Sequence, residues 1–286
     1  MKFVNFGSSS AGNCYYIELQ RTDGMPPAKI LLEAGISYKE VVQKASAQGV
    51  DLSDIDAILV THEHQDHARA VKDFKKRGFK IYANERITEG DPTVTLRAGQ
   101  AKVIAVDTTV TPISVEHDAP QSLGFILRTA QETAFFFNDC KFFSADLSSI
   151  PVDYVMIEAN YDGQTVHFAY EQAKKDSNRA DMNRYQRIVN AHMSIAHCIT
   201  HLRKMDLSQC KAIFLMHLSD RNSNAERFKY RVQQATGIQI HSSAERMEEY
   251  SNAEQNSKFE HLHKRFNRRA GLLSGVVLLP TAGLRR

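Results

Sequence analysis

The seven residues Thr61–His67, THEHQDH, constrain this chain more than any other stretch. Three imidazoles and two carboxylates fall within six consecutive positions, just after the apolar run Ile55–Val60. A short, β-branched run of this kind predicts a buried strand, so the polar residues lie in the loop at its carboxyl end. Open α/β sheets place their binding sites at such strand ends. The density of ligand-type side chains therefore predicts a metal site.

The spacing inside this motif divides its residues between two neighbouring positions. Side chains of an extended segment alternate with a period of two, so His62 and His64 point to the same side and can share one ion. Asp66 and His67 open a helix with an apolar face over residues 68–74, and its first turn directs them back from another angle. That geometry suits a second ion. Imidazole and carboxylate suit Zn²⁺, Mn²⁺ or Fe²⁺, and further ligands must come from later segments.

Strand and helix patterns alternate along the chain, which predicts layered α/β packing. Residues 93–128 carry short strand patterns with no helical period. The other predicted strands are residues 2–6, 14–19, 30–32, 55–60, 80–83, 135–137, 152–157, 212–216 and 238–241. The predicted helices are residues 38–48, a helix from residue 66, one or more within 165–191, one that carries His197 and His201, and 224–235.

Composition limits the class of protein. A chain of 286 residues with 42% hydrophobic content can bury a sizeable core. We find neither a signal-peptide pattern nor eighteen uninterrupted apolar residues, so we expect no membrane partner and a cytoplasmic location. The four cysteines lie far apart without a C-x-x-C pair, which argues against a disulfide framework and against a structural zinc ribbon.

The motif THEHQDH is similar to the HxHxDH signature of the metallo-β-lactamase superfamily. The segments Gly7–Cys14, Leu31–Gly35 and Tyr82–Glu85 further resemble the YycJ/WalJ-type branch. The resemblance implies a metallo-β-lactamase αββα sandwich that holds two divalent metal ions, Zn²⁺ or Mn²⁺. Glu33 departs from the pattern, because the superfamily usually carries Asp there to steady the metal-binding loop, and the longer side chain is expected to displace or weaken that support.

The resemblance covers residues 1–250, which we predict to be the hydrolase domain. Residues 251–286 do not match the family body and form a basic, then apolar extension. They hold seven Lys/Arg and two Asp/Glu, a balance of +5, whereas the whole chain carries +3 and residues 1–250 therefore −2. The apolar part, Gly271–Leu284, is interrupted by glycine and proline and is too short to span a bilayer. We expect the extension to be flexible and to contact a partner or nucleic acid.

The resemblance also implies the site residues. The first ion would be held by His62, His64 and His117, the second by Asp66, His67 and His217, and Asp139 would bridge the two, with Asp146 as its competitor. Asp66 would orient the attacking hydroxide, His192 would protonate the leaving oxygen, and Glu158 would orient His192. The candidate substrate contacts are Ser9 and Asn13 in the Ser/Gly loop, and Arg187 ahead of His192.

The function implied is that of a dinuclear-metal phosphodiesterase, in which a hydroxide between the two ions attacks phosphorus. Nucleic acid is then the substrate, and the branch favours 5′→3′ exonuclease action on DNA. A cyclic-nucleotide or RNA phosphodiesterase is the enzymatic alternative. An alternative of another class is a nucleic-acid-binding module in which the metals only stabilise the fold and residues 251–286 supply affinity.

Overall fold

A computed structural model describes residues 1–242, and the predicted extension at 251–286 lies outside them. The strands of the described range are β1 Lys2–Gly7, β2 Cys14–Leu19, β3 Ala28–Leu32, β4 Ala57–Leu59, β5 Ile81–Tyr82, β6 Lys102–Ala105, β7 Thr108–Ser114, β8 Leu123–Arg128, β9 Thr133–Phe137, β10 Tyr154–Glu158, β11 Ala212–Met216 and β12 Ile240–Ser242. The helices are α1 Tyr38–Ala47, α2 Gln65–Ala68, α3 Val71–Lys76, α4 Glu85–Thr88, α5 Gly163–Lys175, α6 Arg179–Ala191, α7 Ile195–Leu202 and α8 Ala225–Thr236. A single 3₁₀ turn is seen in this range, at Leu52–Asp54.

The strands form two sheets. The first has the order β1-β2-β3-β4-β5, and its strands β3, β4 and β5 are parallel. The second has the order β12-β11-β10-β9-β8-β7-β6, with a parallel half, β9 to β12, and an antiparallel half, β6 to β9. The carboxyl ends of parallel strands meet at one edge of a sheet, which is where α/β proteins bind ligands.

Apolar side chains pack in three layers. Along β10, Tyr154 and Met156 belong to the layer that holds residues of both sheets, whereas Val155 and Ile157 belong to the layer shared with α7 and α8. A third layer joins the first sheet to α1 and α3. Helices therefore cover the outer faces of two packed sheets, and the predicted αββα sandwich is confirmed.

The predicted helix from residue 66 is instead two short helices, α2 and α3. A continuous helix would need a hydrogen bond from the Ala70 amide to the Asp66 carbonyl. The Ala70 amide donates to the Ala34 carbonyl at 2.8 Å, and the Asp66 carbonyl accepts from the Asn13 amide at 2.8 Å. Bonds to the loops after β1 and β3 thus replace the helical bond and fix the metal motif onto the first sheet.

The described residues include every cysteine of the chain. All four cysteines are unpaired thiols, and Cys14, Cys140 and Cys198 are buried. Among the helices of residues 1–242, none is long and apolar enough to cross a bilayer. The cytoplasmic location stays a prediction.

Gly35 is required by the close approach of α2 to the loop after β3. A Cβ atom at this position would lie 1.7 Å from the carbonyl oxygen of Asp66. We expect Gly35→Ala to lower the free energy of unfolding by about 1–3 kcal/mol, because the helix must shift to accept the methyl group. Denaturant unfolding of the purified chain measures this change.

Gly163→Ala is the matched control, since a Cβ atom there meets nothing within 4 Å. It should leave stability unchanged or raise it slightly, because alanine restricts the unfolded chain. Equal stability of the two variants would contradict the packing assigned to Gly35.

Candidate metal centre and catalytic cavity

The candidate site lies where strands of both sheets end. The metal motif follows β4, His117 follows β7, Asp139 follows β9, and His217 comes directly after β11. Asp139 and His217 have φ angles of 45° and 50°, and Glu33 at the end of β3 has 66°. Non-glycine residues rarely adopt this left-handed conformation, and they keep it only where surrounding contacts hold it. The chain therefore turns sharply at these strand ends and brings distant segments together.

Three histidines form a first cluster. Nδ1 of His64 lies 3.1 Å from Nε2 of His62 and 3.4 Å from Nε2 of His117. A tetrahedral ion with bonds of about 2.0–2.1 Å separates its ligand atoms by about 3.3 Å. The spacing of these three nitrogens suits a single ion.

A second cluster surrounds the carboxylate of Asp139. Its Oδ2 lies 3.1 Å from Nε2 of His67 and 3.9 Å from Nε2 of His117, and its Oδ1 lies 3.3 Å from Nε2 of His217. Asp66 Oδ2 is 3.7 Å from the same nitrogen of His67. Burial raises the pKa of Asp139, but the charges of His217 and His67 outweigh it and hold that pKa well below its usual range. An ionised carboxylate thus lies between the two sets of histidines.

Hydrogen bonds on the far side of each ring determine which nitrogen carries the proton. The Thr61 hydroxyl donates to Glu33 at 2.6 Å, so it accepts from Nδ1 of His62 at 2.9 Å. Nδ1 of His117 donates to the Ala191 carbonyl at 2.9 Å. Nε2 of both rings is therefore the nitrogen left to bind a cation, and it points toward Nδ1 of His64.

This arrangement fits a bound cation. Oδ1 of Asp139 and Nε2 of His217 are buried, and neither makes a hydrogen bond within residues 1–242. Buried polar atoms are rarely left unpaired unless an ion or water satisfies them. Imidazole nitrogens and carboxylate oxygens are ligands of divalent metals such as Zn²⁺ and Mn²⁺. The donor set and its spacing therefore indicate dependence on a divalent metal.

Glu33 supports both ends of the metal motif. Its Oε1 lies 3.1 Å from Nδ1 of His67 and accepts from Thr61, which in turn holds His62. Its Oε2 accepts from the Thr61 amide at 3.2 Å. The longer side chain at this position thus reaches the histidines from a fully buried location. Carboxylates behind metal-binding imidazoles fix ring orientation and raise ligand basicity.

A second buried carboxylate orients His192. Glu158 Oε1 lies 2.7 Å from Nδ1 of His192, and Oε2 accepts from the backbone amides of Cys140 at 2.7 Å and Met193 at 3.3 Å. Burial lowers the pKa of His192, but the charge and hydrogen bond of Glu158 raise it to about 9. The ring stacks on His217 with centroids 5.2 Å apart. His192 is therefore a protonated, oriented imidazole beside the second cluster.

Members of both clusters and His192 line one cavity of about 350 Å³. Ser9 and Arg187, two of the three candidate substrate contacts, lie in its wall. Asn13 does not; it is fully buried, accepts from the Tyr15 hydroxyl at 2.9 Å and donates to the Asp66 carbonyl at 3.3 Å. The complete wall is Ser9, Ser10, His64, Asp66, His117, Asp139, Asn160, Arg184, Arg187, Ile188, His192, His217, Leu218, Ser219, Asp220, Arg221 and Asn222.

Several residues of the site were not identified from the sequence. The side-chain amide of Asn160 lies 2.8 Å from Nδ1 of His217, and the Ser8 hydroxyl accepts from the His217 amide at 3.3 Å. Their positions in the sequence could have indicated them, because Asn160 lies just after β10 and Ser8 lies in the Ser/Gly loop. Asp146, the rival of Asp139, is exposed and accepts from the Ser148 amide at 2.9 Å. It belongs to none of the ligand clusters of residues 1–242.

The chain is similar to several known proteins. A family model described as the β-lactamase superfamily domain matches residues 28–218. An exodeoxyribonuclease WalJ of Streptococcus pneumoniae is 25% identical over 241 residues, which cover 79% of this chain and 84% of that protein. An exodeoxyribonuclease YycJ of Bacillus anthracis is 24% identical over 248 residues, 82% of this chain and 88% of that protein. The metallo-β-lactamase fold protein YhfI of Bacillus subtilis superimposes with a TM-score of 0.60 at 15% identity, over 84% of this chain and 94% of that one.

Glu33 provides a test of the metal centre. Glu33→Gln removes a charge that holds His67 directly and His62 through Thr61, so we expect metal affinity to fall about 10–100-fold. Isothermal titration calorimetry of chelator-treated protein with Zn²⁺ measures this affinity.

Glu63→Gln is the matched control, because this glutamate of the same loop pairs with Arg86 at 2.7 Å and lies outside the ligand clusters of the described chain. The Zn²⁺ affinity of Glu63→Gln should equal that of the wild type. Unchanged affinity in Glu33→Gln would show that Glu33 does not support the ligands.

Proposed function

The chain belongs to the β-lactamase superfamily, since the family model covers two thirds of it, and from this membership we propose that it is a metal-dependent phosphodiesterase acting as a 5′→3′ DNA exonuclease. The resemblance that the HxHxDH motif suggested is thereby confirmed. Two relatives over most of its length are named exodeoxyribonucleases. Hydrolysis of a phosphodiester in nucleic acid is the activity that the site supports best.

One observation carries this proposal: ligand clusters, an oriented acid and a basic wall share the same cavity. The two ligand clusters meet at Asp139, His192 lies beside them, and three arginines, Arg184, Arg187 and Arg221, line the same space. Guanidinium groups recognise phosphate oxygens through paired hydrogen bonds. A phosphodiester in nucleic acid would use the arginines and the acid together.

We assign the ligands of two ions as the sequence suggested. His62, His64 and His117 would hold the first ion, Asp66, His67 and His217 the second, and Asp139 would contact both. Two divalent ions in such a site supply Lewis acidity and a reactive water at neutral pH. Zn²⁺ and Mn²⁺ both suit these ligands.

The chain's own residues arrange the substrate and the protons. Asp66 is the partly exposed carboxylate of the motif, with 26% of its side chain accessible, and it positions the attacking water through a cavity-facing oxygen. Glu158 holds Nδ1 of His192, which leaves Nε2 of that ring to donate a proton to the departing oxygen. A positioned acid of this kind contributes about 10²–10⁴-fold to rate.

The basic wall selects a phosphate-rich substrate. Arg184 and Arg187 lie one helical turn apart on α6, on the same side of the helix, so they can contact successive phosphates of one strand. Ser9 and Ser10 offer hydroxyls in the wall of the same cavity. A polynucleotide uses all of these contacts, whereas a cyclic mononucleotide carries a single phosphate.

A substrate comparison tests the function. Full-length protein with Mn²⁺ or Zn²⁺ is incubated with 5′-labelled duplex DNA, 3′-labelled duplex DNA, RNA of the same sequence and a cyclic mononucleotide. We expect labelled mononucleotide at the earliest times from 5′-labelled DNA only, and no product from Asp66→Ala or in excess chelator.

Faster turnover of RNA or of the cyclic nucleotide would reassign the substrate. If Asp66→Ala remains fully active, the catalytic role of the motif is wrong. Metal binding without hydrolysis of any phosphodiester would favour a nucleic-acid-binding module in which the ions only stabilise the fold.

The acid role of His192 has its own signature. His192→Ala should slow DNA hydrolysis about 10²–10⁴-fold, because the leaving oxygen then departs unprotonated. Hydrolysis of bis(p-nitrophenyl) phosphate should fall far less, since p-nitrophenolate is a good leaving group without a proton. Steady-state rates on the two substrates are compared.

His197→Ala is the control, because this histidine is exposed on α7 and does not line the cavity. His197→Ala should hydrolyse DNA and bis(p-nitrophenyl) phosphate at the wild-type rates. An equal loss on both substrates in His192→Ala would mean that the ring positions other groups and donates no proton.

A further inference from the structure

Asp118, the residue after His117, has a carboxylate at the mouth of the first histidine cluster. Its Oδ1 lies 3.1 Å from Nε2 of His117 and 3.8 Å from Nδ1 of His64. Its Oδ2 lies 3.4 Å from Nε of Arg187. The side chain is 37% exposed, so it reaches the cluster from the solvent side.

Oδ1 of Asp118 meets the ring nitrogen of His117 that faces the first cluster. The Ala191 carbonyl can only accept, so Nδ1 of His117 carries a proton and Nε2 is the nitrogen left to bind a cation beside Oδ1 of Asp118. A carboxylate oxygen and an imidazole lone pair at 3.1 Å repel each other unless a cation lies between them. The cluster of three histidines supplies a place for such a cation.

We propose that Asp118 is a further ligand of the first ion, through Oδ1, in addition to the three imidazoles and the shared carboxylate of Asp139. This assignment rests on the proposed metal centre. The 3.1 Å from Oδ1 to Nε2 of His117 is close to the edge of about 3.3 Å expected between ligands of one tetrahedral ion, and the 3.8 Å to Nδ1 of His64 is somewhat longer. A second negative ligand also offsets positive charge of the first ion that the shared carboxylate of Asp139 compensates only in part.

The other oxygen of Asp118 gives this ligand a second role. Arg187 is 72% exposed and is held toward the cluster by Oδ2. Its guanidinium therefore lies beside the first ion, where it can meet a phosphate oxygen of the substrate. One carboxylate thus joins the metal centre to the basic wall on α6.

The rival explanation is a plain ion pair, in which Asp118 serves only Arg187 and contacts a protonated His117. The two explanations differ in metal affinity. Removing the carboxylate of Asp118 should lower the affinity for the ion only if Oδ1 is a ligand. Removing the guanidinium of Arg187 should then leave that affinity unchanged.

The test uses full-length protein stripped with chelator, in the wild type, Asp118→Asn, Arg187→Ala and Glu116→Gln. Glu116 is an exposed carboxylate on the same segment and serves as the matched control. Each protein is titrated with Zn²⁺ by calorimetry, and Co²⁺ is added separately to record the visible absorption spectrum. Thermal unfolding of the stripped proteins establishes that all four are folded.

We expect Asp118→Asn to lower the affinity for one of the two ions at least about tenfold. A loss of this size is seen even for groups that contact a metal only indirectly. The Co²⁺ spectrum of Asp118→Asn should change, because the ligand set of one ion changes. Arg187→Ala and Glu116→Gln should keep wild-type affinity and spectrum.

Wild-type affinity and spectrum in Asp118→Asn would overturn the assignment, as would an equal loss of affinity in Arg187→Ala. These outcomes leave the proposed function intact as long as the wild type binds its ions. A wild-type chain that binds no Zn²⁺ would overturn the metal centre and the role of Asp118 together.

Discussion

The structure depends on one constraint: imidazole nitrogens and carboxylate oxygens are held against each other in a buried space. Oδ1 of Asp139 and Nε2 of His217 make no hydrogen bond within residues 1–242, and a bound cation would satisfy them. Buried carboxylates hold the imidazole rings in place from behind. Glu33 holds His67 and, through Thr61, His62, while Glu158 holds His192 and lies 3.5 Å from Nδ1 of His217. The negative charge that supports the ligands also favours the ions.

The αββα framework places these groups because parallel strands of each sheet end at a common edge. Each contributing segment leaves its strand by a sharp turn, and two of the residues proposed to hold metal, Asp139 and His217, lie in left-handed backbone conformation. The loop after β3 approaches α2 so closely that only glycine fits at Gly35. Packing between the sheets thus sets the positions of the strand ends, and backbone hydrogen bonds between loops set the last few ångströms.

Much of this could be predicted from the sequence, since residue type and position at a strand end carry most of the information. His117 and His217 could be proposed as ligands because each ends a predicted strand and lies where the family carries a metal motif. Asn13 shows the limit, because a polar residue in a Ser/Gly loop can face the cavity or lie beneath it, and only tertiary packing decides. The break between α2 and α3 was equally hidden, since it results from hydrogen bonds to residues more than thirty positions away. The proton positions on the histidines also depend on partners such as Ala191 that no motif specifies.

Helix α6 connects substrate recognition to the metal centre. Its last residue, Ala191, has a carbonyl left free by the end of the helix, and that carbonyl accepts the proton of His117 Nδ1. One turn earlier on the same helix, Arg187 pairs with Asp118, the neighbour of His117. A displacement of α6 would therefore disturb the orientation of a proposed metal ligand and the placement of a phosphate contact at the same time. Because His192 follows α6 directly, the proposed acid would move with them, and the placement of this helix therefore bears on three proposed roles at once.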